Sequence, residues 1–112
     1  MSVEEQSTAG QLTALNQLAA LGASTQPDVV KILNDSSRSA YDRIYLAVST
    51  VVGQIDEEIT QHLDALRETE DFDGEMAKYK ELSQKRAELQ ETMTRLYEEE
   101  NERIRKEFQS ES

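Results

Sequence analysis

Residues 41–66 read YDRIYLAVSTVVGQIDEEITQHLDAL, and this stretch decides the fold. Tyr41, Ile44, Val48, Val51, Ile55, Ile59, Leu63 and Leu66 recur at steps of 3, 4, 3, 4, 4, 4 and 3. Such steps put side chains on one face of an α-helix, where 3.6 residues make a turn. The run of fours around Ile59 departs locally from a heptad. Tyr45, Leu46, Ala47 and Val52 widen the stripe in its first half. A helix apolar over much of its circumference must be covered from more than one side. This segment is therefore expected to meet two neighbours, inside a long helix over residues 37–68. Ser49 and Gly53, four apart, would let a second helix come close, or else Gly53 is a tolerated surface glycine.

Downstream, TEDFDG at residues 69–74 reads as a turn, followed by a second long helix over residues 73–108. Its stripe (Met76, Tyr79, Leu82, Leu89, Met93, Leu96, Tyr97, Ile104 and Phe108) is narrower, as in a coiled-coil seam. Glu81–Lys85, Glu91–Arg95, Glu99–Arg103 and Glu102–Lys106 stand four apart in the favourable order, which supports an exposed helix. Asn101 lies along the seam line, where it would fix register if buried or simply face water.

Upstream, residues 8–34 carry short apolar helices. Leu12, Leu15, Leu18 and Ala19 share one face, and Gly22 is placed to end the first helix in the left-handed conformation. Thr25 is a plausible N-cap ahead of Pro27, with Asp28 in the first turn. Asn34, Asp35, Ser36 and Ser37 compete with helix through their own side chains. Either the chain breaks there, with Asp35 or Ser36 capping the next helix, or it bends. Residues 1–7 read as a loose tail. The expected fold is all-α: one domain spanning residues 1–112, a long antiparallel coiled-coil-like hairpin with a short N-terminal helix packed on it, three helices in all.

Composition bounds the function. Twelve Lys and Arg face 23 Asp and Glu, for a net charge of -11. Phosphate backbones and anionic membranes both select for excess base, so nucleic acid and membrane partners are not expected. With no cysteine there is no thiol chemistry. Met1 to Glu5 carries acid where a signal peptide carries base, which favours a cytoplasmic protein, or one carried into a virion or secretion apparatus. Two Phe and no Trp leave only a thin core.

Candidate chemistry is sparse. His62, the only histidine, stands one turn after Glu58, but a metal centre needs three or four ligands. Asp71-Phe72-Asp73-Gly74 resembles part of a calcium loop. Aligning Gly74 with its sixth position puts Lys80 where the bidentate acid belongs, so a capped helix start reads better. Glu98-Glu99-Glu100 would suit a nucleic-acid mimic, yet Arg95, Arg103, Arg105 and Lys106 oppose it. No nucleophile–base pair and no glycine-rich phosphate loop is present. No catalytic residue, cofactor or metal ligand is assigned.

Residues 12–18 (LTALNQL), the turn at Pro27 and residues 55–61 (IDEEITQ) resemble parts of the needle subunits of type III secretion systems, small helical hairpins that polymerise. The resemblance covers about half of the chain, and this sequence continues past it through a second charged helix. It implies assembly. The functional expectation is a non-enzymatic structural or assembly protein, a homo-oligomer or a subunit of a larger complex. Its interface is expected at Leu12, Leu15, Leu18, Ile44, Val48, Val51, Val52, Ile55, Leu89, Met93, Tyr97 and Ile104. The alternatives are a small acidic chaperone or inhibitor that sequesters a protein partner and, more remotely, a nucleic-acid mimic or a metal-binding bundle.

Overall fold

A computed structural model describes residues 7–111. It contains four α-helices: α1 (Ala9–Ala20), α2 (Pro27–Leu33), α3 (Ala40–Leu66) and α4 (Phe72–Glu111), with a 3-10 turn at Ala23–Thr25. The described residues contain no strand. The expected tail, apart from Ser7, lies outside them. Four helices replace the expected three, because the 3-10 turn and Pro27 separate α1 from α2.

Local chemistry sets each boundary. The Thr8 hydroxyl accepts from the Gln11 amide (3.0 Å) while Gln11 Oε1 accepts from the Thr8 amide (3.2 Å), a reciprocal capping box. Gly22 ends the first segment at φ 72°, as its position predicts. Thr25 does not cap α2. Pro27 occupies the first helical turn and forces the residue before it into the extended region, so Gln26 becomes the cap residue. Thr25 instead bonds the Gly22 carbonyl at 3.2 Å.

The soft spot at Asn34 is a break. The Asp35 carboxylate accepts from the Ser37 amide and hydroxyl and from the Arg38 guanidinium. That turn leaves Ser39, rather than Asp35 or Ser36, to cap α3 by accepting from the Asp42 amide at 3.1 Å. At the other end Asp71 accepts from the Gly74 amide (3.1 Å), so the acidic turn does cap α4.

α4 packs along α3, and α1 lies against both. Cross-pairs fix the directions. His62 meets Glu75 and Asp56 meets Arg86, so α3 and α4 run antiparallel. Thr8 meets Glu99 and Gln17 meets Thr92, so α1 also opposes α4. The apolar first half of α3 is thus covered by α1, α2 and α4, three neighbours where two were expected.

One hydrophobic cluster results. It holds Ala14, Leu18 and Val29 from the short helices, Ile44, Ala47, Val48, Val51, Val52 and Ile55 from α3, and Leu89, Met93 and Leu96 from α4. Full burial of a side chain such as Leu89 contributes roughly 1.5–3 kcal/mol. A Cβ built on Gly53 would meet nothing within 4 Å, so no helix approaches there and the surface reading of that glycine holds. The molecule is a rod of 64 × 27 × 19 Å.

Candidate protein-binding surface

The buried face of α1 is Gln11, Ala14 and Leu18, with Leu15 at its edge. Of the expected face, Leu18 is buried and Leu15 packs on the core, while Leu12 and Ala19 are turned outward. Two hydrogen-bonded anchors set this rotation. At the N-terminal end, the Glu99 carboxylate accepts from the Thr8 hydroxyl (2.5 Å) and from the Gly10 amide (3.1 Å). A carboxylate at a helix start answers both unpaired N–H groups and the positive end of the helix dipole. A side chain on residue 10 would meet the Glu99 carboxylate and displace it from this position. Further along, the buried Thr92 hydroxyl lies 2.7 Å from Gln17 Oε1 and 3.1 Å from the Glu88 carbonyl, between which its single proton is shared.

Glu99 therefore does not form the expected pair with Arg103. Arg103 bonds Glu100 and Glu107 instead, and Arg105 pairs with Glu102. The three consecutive acids do different work. Glu99 caps α1, Glu100 holds Arg103 in its charged form, and Glu98 is exposed. Nothing in the periodicity of α4 distinguishes Glu99 from its neighbours. Only the position of α1 does.

His62 is half-buried, and its Nδ1 lies 2.6 Å from Glu75 across the turn between α3 and α4. Its partner is thus not Glu58. Among the described residues, no three His, Cys, Asp or Glu side chains come together in a way that could hold a metal ion. No helix among them is long and apolar enough to cross a membrane.

The concavities are shallow. A groove of about 370 Å³ between the end of α1 and the middle of α4 is lined by Gln17, Ala20, Leu21, Lys85, Glu88 and Leu89. It covers about one turn of α4, too little to seat a partner helix. A cleft of about 480 Å³ lies where α1 and α3 begin, beside Leu96, Glu99 and Arg103 of α4.

The residues expected to form an interface divide sharply. Leu18, Ile44, Val48, Val51, Val52, Ile55, Leu89 and Met93 are buried in the chain's own core, and Leu15 packs against it. Leu12, Tyr97 and Ile104 are 40%, 56% and 38% exposed. Ile104 belongs to a projecting end. α3 begins beside Glu99 and Arg103, and α4 continues past it, so residues 101–109 are all exposed. Phe108, a seam residue outside the expected interface, is 70% exposed. Asn101 faces water.

Tyr97, Ile104 and Phe108 stand seven and four residues apart, on one face of the projecting helix. Tyr97 lies close enough to Tyr41 to oppose its ionisation, and Tyr41 packs on Tyr45 with ring centroids 5.5 Å apart. The exposed apolar stripe runs along α4 from Tyr97 to Phe108.

Comparison with known proteins finds no matching family model, no similar curated protein and no similar solved structure.

Proposed function

We propose that this is a non-enzymatic assembly protein that binds other protein surfaces through the exposed stretch of α4 that carries Tyr97, Ile104 and Phe108. The observation that carries the reading is the row of Tyr97, Ile104 and Phe108, left exposed on a helix that outruns its own bundle. Well-packed bundles dispose of such residues internally, and large apolar side chains aligned on one exposed face mark helix-in-groove recognition. The body, a coiled-coil-like hairpin buttressed by α1 and α2, serves as the rigid support for that stretch. The sealed core supports a presenting role over a sequestering one. The acidic chaperone reading would require the body to open and expose Val48, Val51 and Leu89. A cytoplasmic location, or incorporation into a virion or secretion apparatus, accords with this role.

Site-specific photocrosslinking in cells that make the protein tests the reading. A benzophenone amino acid replacing Phe108 or Ile104 should give a discrete protein adduct, and the same probe replacing Glu81 on the body should not. Adducts from Glu81 with none from Phe108 or Ile104 would sink the proposal.

A further inference from the structure

We propose that α1 is a detachable strap. It folds only where it docks, and it leaves the body as a unit while the α3–α4 hairpin stays closed, uncovering Leu89 and Leu96. This goes beyond the proposed function and does not depend on it.

The strap has little to keep it helical by itself. It is 12 residues long, and isolated helices shorter than ~12–15 residues are marginal in water. Gly10, Thr13 and Asn16 are weak helix formers. Residues 6–27 contain no Asp, Glu, Lys or Arg, so no charge within α1 answers either end of its helix dipole. Glu99 supplies that charge from α4, at Thr8 and Gly10. Off the body, α1 loses its cap and its helix together.

The hold on the body is modest. α1 gives the core Ala14 and Leu18, with Leu15 at the edge, whereas α3 gives it Ile44, Ala47, Val48, Val51, Val52 and Ile55. The remaining anchors are hydrogen bonds, whose net contribution is small because water replaces them. Both anchors release cleanly. Thr92 keeps the Glu88 carbonyl at 3.1 Å when Gln17 leaves, and the Glu99 carboxylate turns to water. Opening therefore leaves neither group buried without a partner.

The hairpin has its own closure. Toward its turn Asp56 pairs with Arg86 and His62 with Glu75, and Ile59 and Leu82 pack on the core. A hinge stands between strap and body. Gly22 takes φ 72°, and the buried Ala23 and Val29 beyond it keep α2 seated. Leu89 and Leu96 are buried and line the two clefts beside α1, so its departure uncovers them.

Amide hydrogen exchange by NMR, with urea added in steps below the unfolding transition, tests the strap. The amides of Thr13 to Ala20 should share one rate, faster than those of Ile55 and Met93 by on the order of tenfold or more. Their urea dependence should be shallower, because opening α1 exposes less surface than unfolding does. Ile59→Ala loosens the hairpin on its turn side. It should speed exchange at Ile55 and Met93 about tenfold and leave Thr13 to Ala20 unchanged. Glu99→Gln should speed exchange at Thr13 to Ala20 about fivefold.

Equal rates and equal urea dependence in α1 and the hairpin would overturn the proposal, since only global unfolding would then release α1. So would an equal acceleration of both by Ile59→Ala, or a gradient of rates falling from Thr13 to Ala20, which is fraying rather than release. Exchange in α1 that Glu99→Gln leaves unchanged would overturn the carboxylate as the clasp.

Discussion

The two halves of α4 that meet at Leu96 and Tyr97 are alike in sequence and opposite in circumstance. Leu82, Leu89, Met93 and Leu96 step along the first half, and Tyr97, Ile104 and Phe108 along the second, with acids and bases between them in both. In the first half Leu89, Met93 and Leu96 lie in the core with Leu82 packed against it, and in the second all three apolar side chains are exposed. Neither hydrophobicity nor spacing accounts for the difference. The first half has α1 and α3 beside it along its length, and the second meets only their first residues, up to Arg103. An apolar stripe is a request for a neighbour, and whether the same chain supplies it depends on where the other helices begin. The free half stays helical because it extends an existing helix, which avoids the cost of nucleation. Ion pairs at Arg103 and Arg105 support it.

The sharpest test of this contrast uses adjacent residues. Leu96→Ala should destabilise the protein by about 2–5 kcal/mol, the range for a fully buried leucine. Tyr97→Ala should change stability by less than ~1 kcal/mol. Denaturant unfolding at micromolar concentration measures both, and equal losses would break the comparison.

At the boundary between the halves, Glu99→Gln keeps the shape of the α1 cap but loses its charge, and should cost ~1 kcal/mol. Glu98→Gln, one residue away on an exposed face, should be neutral. The same measurement separates them.

An uncovered face should also reward helix propensity. Gly53→Ala, in the interior of α3 with open space around it, should stabilise by ~0.5–1 kcal/mol. A loss instead would mean that a neighbour covers that face.

The smallest effect is in titration. Burial, then Tyr45 and Glu100, raise Tyr41 above its ordinary value of 10.0. The folded state thus favours the neutral phenol. Its contribution to stability is fully present below the ordinary tyrosine pKa and is lost as pH rises through the elevated one. An alkaline absorbance titration of the protein against Tyr41→Phe should show Tyr41 ionising after a free tyrosine would. Earlier ionisation would place Tyr41 in water.

Much of the architecture was legible because it is written in short-range chemistry. The 3–4 steps from Tyr41 to Leu66 specify a helix, Gly22 and Asp71 specify ends, and the polar run at Asn34 specifies either a break or a bend. Several finer points were not legible. Thr25 lost the cap to Gln26 because Pro27 constrains the residue before it. The face of α1 came out rotated away from Leu12, because Glu99 and Thr92 anchor it from a distant part of the chain. Glu99 reads as one of three equivalent acids until α1 is laid across it.

The sequence by itself determined that the chain is helical, where its two long helices lie, and which stretches carry an apolar stripe, since these depend on neighbours within a turn or two. Only the tertiary structure decided which apolar faces are used up inside the molecule and which are left over. That outcome depends on how far α4 outruns the helices packed against it. Two stripes of similar composition therefore end as a core and as an exposed surface, because no helix among the described residues covers 101–109.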